Sequence, residues 1–316
     1  MSQQADDDAI RTQDVRVDYG DVTAVTGLNL RIRHGEVFGL IGPHGAGKTR
    51  KIQVLSTLLE PTYGEVFIDG VDVAEHPRRV HRILGYMPDN PPVYADLKVW
   101  EVLDLFAGAY FVSRPQRLKR INECIDQVDL RGKRNALAGT LSTGMRQRLI
   151  LAKTLLHDPK ILLLDEPASG LDPIARVDLR NLLVRLSAEG KTVLISSHIL
   201  SELSGFCTSV GIMQRGRLVR CGRIDEIAHA LRPHLRVVVE LLTTDERWTA
   251  EARALSAVRD VRAANGRLDI DIEGDDTVVT ELLARLVRAG APVRAYYEQK
   301  MTMEDIMLQL GAREVS

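Results

Sequence analysis

The residues Gly42 to Thr49, "GPHGAGKT", carry the spacing Gly-x-x-x-x-Gly-Lys-Thr. Glycines let successive backbone N–H groups turn inward around a phosphate, and a helix that starts where the loop ends adds partial positive charge. On that pattern Lys48 reaches the β and γ phosphates of a nucleotide and the Thr49 hydroxyl ligates Mg²⁺. Gly42, Pro43, His44, Gly45, Ala46, Gly47 and Arg50 complete the loop around the phosphates. A magnesium nucleotide also needs a second acidic ligand and a group that orients the attacking water. In "ILLLDEP" (Ile161 to Pro167), Asp165 and Glu166 follow an apolar run that reads as a buried strand. Ligands of open α/β sheets gather at that edge. Asp165 is then the outer partner of Mg²⁺ and Glu166 the general base for water attack on the γ-phosphate. The plain alternative is a strand-ending pair that caps the next helix. His198 closes "TVLISSH" in the same way, and its imidazole is a second candidate for the γ-phosphate or else a structural strand-end histidine.

These residues need strands and helices to hold them. Residues 13 to 41 read as short β-rich pieces, and "KTRKIQVLSTLL" as the helix after the glycine loop. "ILLLD" and "TVLISSH" lack alternation, as strands covered on both faces do. Helix-like "PIARVDLRNLLVRLSAEGK" supplies the crossover between them. From about 91 to 140 the periodicity is helical, which predicts a helical insert. Six aromatics fall between Tyr86 and Phe111, and helix core or a partner surface accounts for them. After Asp225 the order strand, helix, hairpin on Asn265-Gly266, helix, strand matches a ferredoxin-like split βαβ motif. The expectation is a P-loop core of α/β class at 10–228, mostly parallel with an antiparallel β portion. A small α+β accessory domain follows at 235–311.

Composition narrows the class. With 42 basic against 43 acidic residues, the electrostatic footprint of a nucleic-acid binder is missing. The basic runs "HPRRVHRI" and "RPQRLKRI" read as solvated helix faces. Cys124, Cys207 and Cys221 stand far apart, which suits neither a disulfide framework nor a zinc site and reads as buried, inert thiols. The start "MSQQADDDAI" is polar and acidic, and no apolar run has the length to span a bilayer.

"LSTGMRQRL" (Leu141 to Leu149) resembles the LSGGQ signature of ABC ATPases, and with the motifs above the chain resembles the ATP-binding subunit of an ABC transporter over about residues 10 to 225. "SGLD" (Ser169 to Asp172) resembles the D-loop, His198 the switch histidine, Tyr19 the aromatic that stacks adenine, and "GYMPD" (Gly85 to Asp89) the Q-loop, which adds Asp89 as a metal-side oxygen. The stretch from Gly85 to Leu103, with the ending "MTMEDIMLQL", resembles the subclass that pairs with separate export permeases, including drug and antibiotic exporters.

That resemblance implies ATP and Mg²⁺ as ligands and an integral membrane permease as partner. It also implies a head-to-tail dimer with a second copy or a homologous subunit. Ser142, Thr143 and Gly144 of one subunit then cap the nucleotide on the other's Lys48 loop. The implied location is cytoplasmic, peripheral at the inner face of the membrane. The family usually carries Asn at His44, Thr or Ser at Arg50, Gly at Thr143 and Gln at Asp89, so each of these positions alters a contact. His44 is expected to face out of the loop, Arg50 to pair with phosphate, and Thr143 to be tolerated if its φ stays negative. The competing reading is a catalytically weakened, regulatory ATP-binding subunit. A soluble ABC protein of translation or repair is opposed by the single Lys48 loop and by the short stretch from Thr49 to Ser142.

Overall fold

The computed structural model describes residues 8–19, 22–89, 91–199, 203, 206–224, 226–227, 235–243 and 245–299. The chain divides into two compact units, 1–224 and 225–316.

The first unit opens with a long antiparallel hairpin, β1 (Asp8–Tyr19) and β2 (Val22–Arg33), whose alternating residues Val15, Val17, Val25, Leu28, Leu30 and Ile32 are buried. Period-two burial on one face is what this alternation dictates. Strand β3 (Val37–Ile41) is buried throughout and runs into the glycine loop. Gly47, at φ 93°, then turns the chain into helix α1 (Lys48–Leu55). This left-handed N-cap is open to glycine without the Cβ penalty. Next come β4 (Tyr63–Ile68), β5 (Val71–Asp72), α2 (Pro77–Ile83) and β6 (Leu84–Met87). The helical insert holds α3 (Val99–Ala109) and α4 (Arg114–Gln127), and is followed by α5 (Thr143–Leu155). Strand β7 (Ile161–Leu164), helix α6 (Pro173–Ala188) and strands β8 (Thr192–Ser197), β9 (Ser209–Gln214) and β10 (Arg217–Arg223) complete it.

Two sheets result. One is antiparallel in the order β2-β1-β4-β5, and the other runs β10-β9-β3-β8-β7-β6. In the second sheet β3 pairs in parallel with β8 and β9, and β7 with β6 and β8, while β10 is antiparallel to β9. This is the α/β class expected, with the wholly apolar runs forming the doubly covered strands. Parallel pairing brings the carboxyl ends of β3, β7 and β8 to one edge, with Ile41 opposite Ser197 and Leu164 opposite Ile195. The motif residues following those strands therefore converge.

The second unit is β11 (Leu235–Leu241), α7 (Glu246–Arg253), β12 (Val258–Ala264), β13 (Arg267–Ile272), α8 (Asp276–Arg288) and β14 (Val293–Glu298). Its strands are all antiparallel in the order β12-β13-β11-β14, a ferredoxin-like arrangement. Asn265 and Gly266, both at positive φ, make the hairpin turn between β12 and β13. Asp245 and Asp275 cap its two helices, and Trp248 anchors the core against Val237, Val239, Leu282 and Leu286.

Three expectations need correction or limits. Helix core does not account for Tyr94 and Phe111, which are 52% and 93% exposed. Each leaves a ring in water, and Phe111 sits at φ 59° in the tight turn between α3 and α4. Cys221 is exposed rather than buried, because it lies on the edge strand β10. The "MTMEDIMLQL" stretch lies outside the described residues.

Candidate functional site

The glycine loop is held by close packing before any side chain acts. A Cβ on Gly42 would lie 2.5 Å from the Met213 carbonyl oxygen, so only glycine lets β3 end against β9. Lys48 Nζ donates back to the carbonyls of Gly42 (2.7 Å) and Pro43 (3.3 Å), closing the loop on its own backbone. The same Nζ lies 3.1 Å from Glu166 Oε1. Both side chains are more than nine-tenths buried, so this pair is screened little by solvent.

Glu166 gathers the neighbouring strands. Its Oε2 lies 2.8 Å from His198 Nδ1, one residue beyond the end of β8. The His198 ring packs against the His44 ring, with centroids 4.3 Å apart and planes tilted 37°. Glu166 itself stands at φ 48°, a left-handed backbone that a non-glycine residue holds only where its surroundings impose it. One imposing contact is the Glu166 N–H donating to Ser196 Oγ at 2.9 Å.

Asp165 is fully buried behind this wall. Its Oδ1 accepts from Ser196 Oγ at 2.6 Å, while its Oδ2 is buried with no hydrogen-bond partner. Burial pushes the Asp165 carboxyl above the usual range, and the hydroxyls of Ser196 and Thr49 pull it back. A buried carboxylate oxygen left open beside the Thr49 hydroxyl suits a hard divalent cation. No cluster of three or more His, Cys, Asp or Glu among the described residues could hold such an ion alone. The donor set therefore fits Mg²⁺ completed by substrate oxygens, the usual way that ion is held.

In front of Asp165 lies one cleft of about 290 Å³, walled by His44, Gly45, Ala46, Gly47, Lys48, Thr49, Arg50, Asp89, Glu166, Ser169 and His198. Asp89 follows β6 and Ser169 follows Glu166, whose carbonyl accepts the Ser169 N–H at 3.0 Å. Burial and then the charges of Asp165 and Asp89 raise the neighbouring Tyr86 phenol to about 12. The cleft thus pairs an acidic metal side with the cationic Lys48 side.

Predicted residues are not all gathered here. Gly42 and Pro43 are not on its wall, and Asp165 is fully buried behind the cleft. Ser142, Thr143 and Gly144 are not on its wall: Ser142 caps α5, accepting from Met145 N at 3.3 Å, and Gly144 packs towards Ala175 of α6. Thr143 is the first residue of that helix and is not at positive φ, so it needs no glycine there. The Tyr19 side chain lies outside the described residues. His44 corrects an expectation. It faces the cleft rather than out of the loop, because the His198 ring offers it a packing surface. Arg50 also lines the cleft, with Nη1 3.3 Å from Gln53 Oε1 one turn along α1. Sequence reasoning missed Ser196, which joins Asp165 to Glu166; its only signal was a polar residue near the end of an apolar strand.

The ABC transporter family profile matches residues 25–169. The chain is 36% identical to the bacitracin transport ATP-binding protein BcrA of Bacillus licheniformis, over 72% of this chain and 73% of that one. It is 31% identical to the Nod factor export ATP-binding protein I of Ralstonia nicotianae, over 97% and 94%. An uncharacterized ABC transporter ATP-binding protein of Nostoc sp. is 37% identical over 65% of this chain, and the match spans only 62% of that protein's length. Among solved structures, an ATP-binding subunit of an ABC transporter superposes with a TM-score of 0.64 at 29% identity, over 70% of this chain and 92% of that one. A dimeric ATP-binding cassette in a post-hydrolysis state, bound to ADP and Pi, superposes with a TM-score of 0.62 at 26% identity, over 68% and 98%. The chain belongs to the ATP-binding proteins of ABC transporters, a family that binds and hydrolyses ATP.

Proposed function

We propose that this chain is the ATP-hydrolysing subunit that energises export by a separate membrane permease. The observation that carries the reading is the convergence of Lys48, Thr49, Asp165, Glu166 and His198 at one sheet edge while Ser142 and Gly144 stand off that cleft. A pocket that lacks its signature residues is completed by another subunit. Two copies, or one copy with a homologous subunit, therefore sandwich two nucleotides. The dimeric relative bound to ADP and Pi supports this arrangement. The relative named for Nod factor export supports the export direction. No helix among the described residues is long and apolar enough to cross a membrane. In this reading the permease supplies the span and the chain sits peripherally on its cytoplasmic side.

The chemistry starts from the contacts of Lys48. A triphosphate entering the cleft draws Nζ away from Glu166 Oε1, since a phosphate carries more charge than one carboxylate. Oε1 is thereby released to accept a proton from water aimed at the γ-phosphate. His198 keeps Oε2 in place through that change and faces the same phosphate. Thr49 and Asp165, with Asp89 on the same side, would hold Mg²⁺, which neutralises developing phosphate charge when bound. Ser142, at the N-terminus of α5, donates to the γ-phosphate of the opposite subunit. Tyr19 stacks the adenine. The second unit serves as an accessory domain.

Arg50 and Thr143 motivate the weaker, regulatory reading. Lys48 and Glu166 both stand in the cleft, and this favours turnover. Steady-state phosphate release with the permease in membranes decides between the two. Mg-ATP hydrolysis that Glu166→Gln lowers by about 10²- to 10⁴-fold supports the catalytic reading; nucleotide binding with no phosphate release overturns it.

A further inference from the structure

We propose that His44 is a positioning residue for hydrolysis, holding the His198 imidazole so that its Nδ1 stays on Glu166 and its Nε2 faces the γ-phosphate. This rests on His198 and Glu166 acting in turnover.

His198 stands just past the last residue of β8, where ladder hydrogen bonds no longer fix the backbone. Its ring is 28% exposed, so side-chain contacts must set its orientation. Glu166 Oε2, 2.8 Å from Nδ1, fixes one edge of the ring. A single hydrogen bond still lets the imidazole swing about that axis. The His44 ring, at 4.3 Å between centroids and tilted 37°, packs against the imidazole and limits the swing.

The support under His44 is stiff. Lys48 Nζ holds the carbonyls of Gly42 and Pro43, on the chain just before His44, and Ala46 N–H donates to the Pro43 carbonyl at 3.1 Å. Below the loop, Gly42 is pressed against Met213. A flat ring on a hydrogen-bonded loop restricts a neighbour more than a small amide would, because it offers a broad face at little loss of rotamer freedom. With Nδ1 committed to the carboxylate, Nε2 is the ring nitrogen left for a phosphate oxygen.

Close aromatic pairs are worth enough to change a rate by about two- to twelve-fold. The experiment uses the purified full chain with His44→Ala, His44→Asn and His44→Phe, each alone and with His198→Ala. Mg-ATP turnover and thermal unfolding are measured for every variant. Expected results are a two- to twelve-fold fall in kcat for His44→Ala and His44→Asn with KM moving less than kcat, and recovery by His44→Phe, whose ring restores the face. With His198 already replaced, His44→Ala should bring no further loss, since coupled residues are not additive. Full additivity, a loss confined to KM, or a His44→Phe variant as slow as His44→Ala overturns the proposal.

A second readout does not depend on turnover. Ring-proton resonances of His198 should shift on His44→Ala, and unchanged resonances mean the stack is absent in solution, which sinks the proposal. Failure of the underlying reading looks different: His198→Ala would then turn over as fast as the wild type. If His198→Ala is slow and His44→Ala is not, the role of His198 stands and that of His44 falls.

Discussion

Ser196 Oγ lies 2.6 Å from Asp165 Oδ1, to which it donates, and the same hydroxyl accepts the Glu166 N–H at 2.9 Å. One buried hydroxyl from β8 thus joins the two acidic residues that follow β7 and helps hold Glu166 in its left-handed backbone. Ser196→Ala leaves a buried N–H and a buried carboxylate oxygen unpaired. The expected destabilisation is about 1–3 kcal/mol. Chemical denaturation measures it, and a variant as stable as wild type would show that the bridge is dispensable.

Gly42 allows the closest backbone approach in the phosphate loop. Gly42→Ala places a methyl 2.5 Å from the Met213 carbonyl and 2.9 Å from its Cβ, neither of which is the far end of a flexible side chain. Either β9 or the loop must move. Overpacking of this kind destabilises by about 1–3 kcal/mol. ATP affinity should fall with it, because a displaced loop shifts Lys48 at its far end. Fluorescent-nucleotide titration beside a melting curve checks both, and unchanged affinity refutes the coupling of strand to loop.

Lys51 is 1% exposed on the inner face of α1, and its Nζ meets Met213 Sδ at 2.6 Å, a weak acceptor. Burial pulls its pKa down from 10.5 to about 7. Between those values the unfolded chain holds a proton that the folded chain has lost, so stability rises with pH across that window. Below pH 7 the full penalty of a buried ammonium applies; above 10.5 it is gone. Lys51→Met should therefore stabilise the protein by on the order of a few kcal/mol at and below neutral pH. The gap between variant and wild type should narrow as pH climbs towards 10. Urea unfolding of both at several pH values tests this, and a gap that stays constant excludes the titration.

Ser142 is placed to serve a neighbouring subunit. Ser142→Asp keeps a good N-cap for α5, so the helix survives, yet it sets a carboxylate against the incoming phosphates. Combined with Glu166→Gln, it should abolish dimer formation in Mg-ATP while nucleotide binding by the monomer persists. Light scattering and titration separate the two effects. Dimers that form as readily as with Ser142 intact would overturn the sandwich arrangement.

Much of the α/β unit was legible because its chemistry is local. The loop from Gly42 to Thr49 needs glycines at fixed offsets, and the parallel strands β7 and β8 are apolar throughout because both faces are covered. The Asn265-Gly266 turn announced its hairpin for the same reason, since two successive positive φ values admit few residue types. Side-chain direction at the sheet edge was less legible. His44 reads as an outward-facing substitute for an amide until β3 and β8 are aligned, Ile41 opposite Ser197, and the two rings meet. Phe111 reads as helix core or partner surface until the turn after α3 leaves it 93% exposed.

Residue types and spacing by themselves determined that a phosphate loop, two acidic residues and a histidine belong to one nucleotide site, because each motif is complete within a few neighbouring positions. Only the tertiary structure decided how they touch: Lys48 on Glu166, Glu166 on His198, His198 under His44, and Ser196 across to Asp165. Those contacts join residues from 31 to more than 150 positions apart, and parallel pairing of strands brings them together at one edge. No local pattern encodes that juxtaposition, since it follows from burying three apolar strands side by side.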